Sequence, residues 1–354
     1  MSEDGPTRER STAPLDVGRL ARWMDQEGLP GEGDVPTLSR LSGGSQNDLY
    51  RVERGEHRSV LRIPPATADV SRRRNHVREL TLLRGLKGTD VPHAELLAGC
   101  EDDEVLGAPF YLMDEIVGWS PSSAGWPEPY QHDLPARAPL AFALVDGAAR
   151  LARVDWKAQG LDGFGRPDNF HDRQVDRWLA FLSTYQFREI PGLDQASTWL
   201  RTHRPAHWEP GIMHGDYQFA NVIFTSDVPT RLAAIIDWEM TTVGDPLLDL
   251  AWALIAWPPE GDDMSATRYL PLEGMPPREA LLEHYERVSG RSTEDIDYYV
   301  VLARWKLAIV LEKSYARFAS ENRGNPTHGG LGAMVLELMH KSAELAASLR
   351  TARP

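Results

Sequence analysis

The chain has 354 residues, of which 42% are hydrophobic and 25% charged, so it can form one large or two medium globular domains. Its formal net charge of −14 argues against nucleic acid as a partner. The single cysteine, Cys100, excludes an internal disulfide and suits a reducing compartment. The polar start has no signal-like core, and the most apolar stretch, Leu247–Trp257, is too short to span a bilayer. We therefore expect a soluble, cytoplasmic protein that has no membrane partner.

The first third of the chain alternates between strand and turn signals. Residues 1–13 are polar and are predicted to be disordered. The periodicity after them predicts the following elements in order: a helix over Leu15–Gly28, strands over Thr37–Leu41, Leu49–Val52 and Ser59–Ile63, a helix over Arg72–Leu86 capped by Ser71, and strands near Ala94–Cys100 and Phe110–Glu115. This order predicts a small α+β lobe over residues 14–117.

Residues 118–354 are predicted to form a larger, mostly helical lobe. Trp119–Pro139 is rich in Pro, Ser and Gly and is predicted to be a surface excursion. Its aromatic residues either cover a pocket or cap the core, and the sequence favours neither. The predicted helices cover Leu140–Val154, Gln174–Arg188, Gln195–His203, Pro246–Ala256, Arg278–Val288, Tyr298–Phe318 and Leu331–Arg350.

The residues that carry chemistry lie between these helices, from His214 to Asp249. Phosphoryl transfer requires a carboxylate at the attacking hydroxyl and oxygen ligands for Mg²⁺. Asp216 is the candidate for the proton-accepting carboxylate. Asn221, at the start of a strand, and Asp237, at the end of the apolar strand Leu232–Ile236, are candidates for the magnesium ligands.

The pattern His-Gly-Asp, followed by Asn221 and then by Ile-Asp-Trp-Glu at Asp237, resembles the motifs of the aminoglycoside-phosphotransferase and choline-kinase superfamily. It is most similar to the branch related to kinase domains fused to acyl-CoA dehydrogenases. The resemblance implies a bilobal protein-kinase-like α+β fold with a small sheet lobe, one main helix in that lobe, and a helical second lobe. It also implies that Asp216 is the catalytic base, that Asn221 and Asp237 bind Mg²⁺, and that His214 and Asp249 support the catalytic loop.

The same resemblance assigns nucleotide-binding positions in the first lobe. Gly43, Gly44 and Ser45 occupy the hairpin turn that covers the nucleotide, where backbone N–H groups approach phosphate oxygens. A glycine pair in a hairpin is also common in turns that bind nothing. Ser45-Gln46-Asn47 carries one residue more than the usual motif, so the side chain that faces the phosphates stays open.

The third strand has Arg62 where related kinases have lysine, and no lysine precedes Lys87. Arg62 is expected to bind the α- and β-phosphates, oriented by Glu79 on the following helix. A surface arginine and an unrelated glutamate are the plain alternative.

The segment that links the two lobes resembles the hinge of these kinases. There, the backbone of Asp114, Glu115 and Ile116 is expected to contact the adenine edge. A simple edge strand would have much the same sequence.

Two features favour a small-molecule kinase over a protein kinase. Gly215 replaces the arginine that reads a phosphorylated activation loop, and the interval between Asp237 and Asp245 is too short for such a loop. The expected activity is therefore transfer of a phosphoryl group from ATP or GTP, with Mg²⁺, to a hydroxyl of a small molecule. An inactive nucleotide-binding pseudokinase is the alternative.

The acceptor is the least determined feature. The basic end of the chain argues against an aminoglycoside, whose kinases use acidic pockets. The acidic candidates in the second lobe are either pocket residues or ordinary polar and helix-surface charges: Glu260, Asp262, Asp263 and Glu312. The dehydrogenase-linked relatives suggest a hydroxyacyl-CoA type of acceptor. The choice of nucleotide and the oligomeric state stay open.

Overall fold

The computed structural model describes residues 15–41, 47–121, 126–227, 229–257, 271–321 and 329–352. The chain divides into two compact units, one of residues 1–88 with 93–116 and one of residues 89–92 with 117–354. The segment predicted to be disordered, residues 1–13, lies outside the described residues.

The first unit is built on a five-stranded antiparallel sheet of order β1-β2-β3-β5-β4. Its elements are α1 Val17–Gln26, β1 Thr37–Arg40, β2 Asp48–Arg54, β3 His57–Ile63, α2 Val70–Leu86, β4 Leu96–Cys100, α3 Asp103–Leu106 and β5 Phe110–Met113. Strands β2 and β3 form a hairpin whose turn contains Gly55 at φ 60°. Leu20 and Trp23 of α1 pack on Leu61 and Phe110 of the sheet and form the core of this unit.

The helix α2 differs from its prediction at the N-terminus. The predicted cap was Ser71, but the helix begins at Val70, and the Asp69 carboxylate accepts a hydrogen bond from the Arg72 backbone N–H at 2.8 Å. Asp69 lies three residues before the N–H that it accepts, which is the ordinary geometry of a cap, and local sequence does not rank aspartate and serine in this role.

The second unit is mostly helical. Its helices in the described residues are α4 Ala138–Arg153, α5 Phe170–Leu182, α6 Leu193–Thr202, α7 Leu247–Ala253, α8 Arg278–Ser289, α9 Ile296–Glu321 and α10 Leu331–Ala352. The bounds predicted for one helix, Gln174–Arg188, were wrong: α5 begins earlier, at Phe170, and ends earlier, at Leu182. Asn169, at φ 54°, marks the start, and the residues after Leu182 form turns.

Two short antiparallel ribbons interrupt these helices and carry the motif residues. The ribbons pair β6 Gly211–Met213 with β9 Thr242–Gly244, and β7 Val222–Phe224 with β8 Leu232–Ile235. In the described part of the chain, no helix is both long and apolar enough to cross a membrane.

The predicted surface excursion Trp119–Pro139 contains buried aromatic residues. Trp126 and Tyr130 are buried, and the Trp119 ring lies 5.5 Å from Phe224 and 5.1 Å from Tyr130 between centroids. Trp126 meets Phe219 edge-on at 6.0 Å. These rings cap the core beneath the turn that follows Asp216, which decides the question that the sequence left open.

Candidate active site

Asp216 follows β6, and both oxygens of its carboxylate accept hydrogen bonds. Oδ1 accepts from the Gln218 side-chain amide and from the Trp252 indole N–H, both at 2.9 Å. Oδ2 accepts from the Asn221 amide at 2.9 Å. The residues between Asp216 and Asn221 include a 3-10 turn, which brings the fifth residue back over the first. Three donors therefore fix the orientation of this carboxylate.

Asp249 supports the backbone that leads into Asp216. This carboxylate is 2% exposed and accepts the backbone N–H groups of His214 at 2.5 Å and Gly215 at 2.8 Å. Two N–H donors satisfy much of a buried carboxylate's need for hydrogen bonds. Asp249 thus lies where the supporting role predicted for it requires.

The His214 ring connects this loop to the residue that follows strand β8. Its Nδ1 accepts the Asp216 backbone N–H at 3.3 Å, and its Nε2 donates to the Ile236 carbonyl at 2.8 Å. The ring thus links the residue before Asp237 to the residue after Gly215. His214 is fully buried, as expected of a support rather than of a group that meets a substrate.

Gly215 is required by the backbone itself. Its φ is +89°, and a Cβ at this position would lie 2.7 Å from the Met240 carbonyl oxygen. A larger residue would therefore be strained in conformation and would clash with backbone. The absence of an arginine here, from which the sequence predicts a small-molecule kinase, has this local steric cause.

Asn221 and Asp237 are brought together by the β7–β8 ribbon. Val222 pairs with Ile235, and the Ile236 N–H donates to the Asn221 carbonyl at 2.9 Å, so Asp237 follows directly opposite the loop. Asp237 has φ 66°, a left-handed conformation that is uncommon for residues other than glycine. Among the described residues its carboxylate has no hydrogen-bond or ion-pair partner.

Burial sets the electrostatics of the loop. It raises the pKa of Asp216 above its usual value, opposed by His214, by the Asn221 hydrogen bond and by Lys306. It also raises the pKa of Asp249, opposed by His214 and by the two backbone N–H donors. Burial lowers the pKa of Lys306 to about 8, while Asp249 and Asp216 act in the opposite direction. Two carboxylates and one ammonium thus share a buried volume.

In the first unit, Arg62 and Glu79 form the predicted pair. Arg62 Nε and Nη2 donate to the two Glu79 carboxylate oxygens at 3.1 and 2.9 Å, and Tyr111 Oη donates to Oε2 at 3.3 Å. The Glu79 side chain is 3% exposed and that of Arg62 14%, so this is a half-buried, bidentate ion pair rather than a surface contact. The plain alternative of two unrelated charges is wrong.

Asn47 was missed as a neighbour of this pair. With its amide oxygen turned toward Arg62, it accepts from Nε and Nη2 at 3.2 and 3.1 Å. Asn47 is buried and lies two residues after Ser45; the predicted turn at Gly43, Gly44 and Ser45 lies outside the described residues. The sequence signal was present, because an asparagine soon after the glycines is part of the motif, displaced here by one residue.

The predicted hinge residues are structured at the end of β5. The Asp114 backbone N–H donates to the Glu95 carbonyl at 3.0 Å, and the Glu115 carboxylate accepts from Arg51 Nε at 2.8 Å. Burial raises the pKa of Asp114, with a smaller contribution from Glu95. The Asp114 N–H and the Glu115 carboxylate therefore already have partners. The backbone groups of Glu115 and Ile116 are the ones that this segment would offer to a ligand.

Trp252, Gln218 and Lys306 were not foreseen as neighbours of Asp216. Trp252 lies one helical turn after Asp249 on α7, so a helix that buries Asp249 under the loop places Trp252 beside it. Lys306 lies 91 residues from the Gly215 carbonyl that it contacts, and no local pattern indicates that contact.

No group of three or more His, Cys, Asp or Glu side chains suited to a metal ion occurs within the described ranges. A magnesium site here would therefore combine Asn221 and Asp237 with oxygens that come from the nucleotide and water. An unpartnered carboxylate and a neutral amide oxygen are a donor set that fits Mg²⁺.

The sheet unit and the mostly helical unit, with these motif residues, define the kinase-like class of phosphotransferases. The profile of the Phosphotransferase enzyme family matches residues 37–290, and the chain belongs to this family. Every motif residue from Arg62 to Asp249 lies inside the matched range.

The curated relatives are longer proteins. Acyl-CoA dehydrogenase family member 11 of Gallus gallus is 28% identical over 359 residues, which cover 98% of this chain and 45% of the relative. Acyl-CoA dehydrogenase family member 10 of Mus musculus is 29% identical over 257 residues, which cover 71% of this chain and 23% of the relative. The chain thus spans less than half the length of these relatives.

Solved structures share the fold over nearly the whole chain. A Ralstonia eutropha protein, described as a candidate aminoglycoside phosphotransferase, is 25% identical with a TM-score of 0.83, covering 95% of this chain and 99% of its own. The macrolide 2'-phosphotransferase MphH of Brachybacterium faecium is 19% identical with a TM-score of 0.57, covering 91% and 97%. The aminoglycoside phosphotransferase APH(4)-Ia, in complex with ADP and hygromycin B, is 16% identical with a TM-score of 0.54, covering 89% and 97%.

Proposed function

We propose that the chain is a small-molecule kinase that transfers the γ-phosphoryl group of ATP or GTP, with Mg²⁺, to a hydroxyl group. The observation that carries the proposal is the Asp216 carboxylate, oriented by three hydrogen bonds, with Asn221 and with Asp237, an aspartate for which the described residues provide no partner. Membership of the phosphotransferase family supports the class of reaction.

Asp216 is assigned the role of the base that orients the acceptor hydroxyl and takes its proton. Burial raises its pKa, which brings the carboxylate closer to the pH at which a base is both ionised and able to accept a proton. His214 and Asp249 hold the backbone of the loop, so that the carboxylate does not need to reorganise when an acceptor binds.

Asn221 and Asp237 are assigned to Mg²⁺. The Asn221 amide nitrogen is occupied by Asp216, which leaves its oxygen to face away as a neutral ligand, and Asp237 supplies the carboxylate. A bound Mg²⁺ neutralises charge on the transferring phosphoryl group and orients it.

The first unit is assigned to the nucleotide. Arg62, held by Glu79 and Asn47, presents a guanidinium whose fork geometry suits phosphate oxygens. The turn at Gly43, Gly44 and Ser45 and the hinge at Asp114, Glu115 and Ile116 complete the proposed contacts, to phosphate and to the adenine edge respectively.

For the acceptor, we favour a hydroxyacyl-CoA type of metabolite, because the relatives that contain an equivalent stretch are named acyl-CoA dehydrogenases. An acidic antibiotic pocket has less support. Glu312, one of its candidates, is not an exposed charge but fully buried, and its carboxylate accepts from Arg188 Nε at 2.9 Å. The other acidic candidates, residues 260, 262 and 263, lie outside the described residues.

The test is incubation of the purified chain with Mg·ATP and a panel of hydroxyacyl-CoA thioesters, the corresponding free hydroxy acids, and aminoglycosides. Products are read by mass spectrometry. We expect one class to gain a phosphoryl group with the wild type, and Asp216→Asn to lower kcat by roughly 100- to 10,000-fold while nucleotide binding persists. Nucleotide binding without product from any acceptor, in a cell extract as well, would instead indicate a pseudokinase.

A further inference from the structure

Lys306 of α9 is a buried cation placed between two tryptophan rings. It is 4% exposed, and its ammonium lies 4.7 Å from the Trp252 ring centroid and 5.2 Å from that of Trp178. Removing an ammonium from water costs free energy unless charges, hydrogen bonds and π-faces compensate. The position is therefore a specific one, and the groups around it indicate its purpose.

The ammonium and Asp249 hold opposite sides of the same residue. Lys306 Nζ donates to the Gly215 carbonyl at 3.2 Å, while Asp249 accepts the Gly215 N–H at 2.8 Å. Both backbone polar groups of the residue before Asp216 thus have charged partners. Since Gly215 is the most permissive residue type in the loop, these two contacts restrict the backbone where it would otherwise be free to rotate.

Trp252 connects the ammonium to the carboxylate itself. Its indole N–H donates to Asp216 Oδ1 at 2.9 Å, and the face of the same ring lies under Lys306. A cation over an indole face draws electron density from the ring, which makes its N–H a stronger donor. Lys306 therefore acts on Asp216 through the loop backbone and through the tryptophan.

We propose that Lys306 and Trp252 are positioning residues for phosphoryl transfer, which hold the Asp216 carboxylate in its reactive orientation. The inference rests on the proposed function of Asp216 as the base. Neither residue needs to touch a substrate for this role. The burial-lowered pKa of Lys306, about 8, leaves the ammonium charged in most molecules at neutral pH, as the role requires.

The competing interpretation is that Lys306 only fills the core, and a methionine distinguishes the two. Lys306→Met keeps the apolar stem of the side chain, but it leaves the Asp216 and Asp249 carboxylates buried without the ammonium, so some stability is lost whichever role is right. The rates are therefore compared at a temperature at which the variant is folded. A core-filling role predicts an unchanged kcat in the folded protein, and a positioning role predicts a lower one.

The experiment compares Lys306→Met, Trp252→Phe and the matched control Lys313→Met. Lys313 lies two turns further along α9, is exposed, and has its ammonium 5.0 Å from the Phe181 ring. Phosphate release from Mg·ATP to water, and transfer to the panel thioesters, give kcat and the KM for Mg·ATP. We expect kcat to fall roughly 10- to 100-fold in the first two variants, the size of a lost hydrogen bond to a charged group. The KM for Mg·ATP should stay within about twofold of the wild-type value in these variants. Lys313→Met should react at the wild-type rate.

A second readout does not depend on turnover. The chain has 11 tryptophans, and the indole N–H signal that disappears in Trp252→Phe identifies Trp252 in a proton–nitrogen NMR spectrum. We expect that signal to shift in Asp216→Asn, which weakens the acceptor, and in Lys306→Met, which removes the cation over the ring. Lys313→Met should leave it in place.

The outcomes separate this inference from the proposed function. Suppose that the wild type transfers phosphate and that Asp216→Asn is inactive. A kcat equal to that of the wild type in both Lys306→Met and Trp252→Phe would then overturn the positioning inference and leave the proposed function standing. If the wild type transfers no phosphate, the proposed function fails, and an indole signal indifferent to Lys306→Met overturns the positioning as well. Should Lys306→Met not fold, Trp252→Phe carries the same test, because an aromatic face remains while the N–H donor to Asp216 is lost.

Discussion

His76 on α2 makes the first unit sensitive to mild acid. The side chain is 1% exposed, and its ring stacks on Tyr111 with centroids 4.9 Å apart. Neither ring nitrogen has a hydrogen-bond partner within the described residues. Burial, with a smaller contribution from Arg62, lowers the pKa of His76 from 6.5 to about 3. The folded protein therefore keeps this ring neutral.

The direction and size of the effect follow from proton binding. Between pH about 6.5 and about 3 the unfolded chain binds a proton at His76 that the folded chain does not, so stability is lost as the pH falls through this window. At pH about 5 the loss is about 2 kcal/mol relative to pH about 7.5, where it is close to zero. In His76→Phe the stacked ring is retained and the titrating group is removed, so this part of the loss should disappear.

The assay is hydrogen exchange of the amides of Val70–Leu86, read by mass spectrometry at the two pH values and corrected for intrinsic exchange rates. The opening free energy of the wild type should fall by about 2 kcal/mol more than that of His76→Phe. His132→Gln is the control, because the His132 side chain is 77% exposed and should behave as the wild type does. An equal loss in wild type and His76→Phe would refute the reasoning.

Three further substitutions test separate parts of the structure. Asp237→Ala should abolish the Mg²⁺-dependent part of ATP affinity in calorimetry, because it removes the site's unpartnered carboxylate; an unchanged affinity in Mg²⁺ would contradict this. Arg62→Ala should weaken ATP binding roughly tenfold or more in protein that is folded at the assay temperature, and it should also lower the melting temperature because Glu79 loses its partner; a lower melting temperature with unchanged ATP affinity would count against a phosphate contact. Gly215→Ala should lower the free energy of unfolding in urea by about 1–2 kcal/mol because of its positive φ. A further loss should come from the steric clash between the added Cβ and the Met240 carbonyl oxygen, 2.7 Å away. Gly290→Ala measures the loss from positive φ by itself, because Gly290 has φ +72° and its added Cβ would meet no atom within 4 Å; equal losses in the two variants would exclude a clash at Gly215.

The family and the fold class were predicted from the motif residues and the resemblance that they carry. Asp216 and Asn221 are five residues apart across one tight turn, so their hydrogen bond is a consequence of chain geometry that the motif already contains. The Arg62–Glu79 pair is 17 residues apart and was expected only from the resemblance to related kinases. Local geometry predicts the first pair because few backbone torsions separate its partners.

Packing between distant helices decided what the spacing could not. Lys306 reaches the Gly215 carbonyl across 91 residues of chain, and Glu312 is buried against Arg188 across 124 residues although it reads as a surface charge. Charged side chains on a helix give no local signal of which face will be covered, since burial depends on the neighbouring elements that pack there. The amino-acid sequence by itself thus predicted the groups of the proposed chemistry and, with His214, Asp249 and Glu79, part of their support. Only the tertiary structure decided that Lys306 and Trp252 also hold the loop, because their contacts depend on the packing of distant helices.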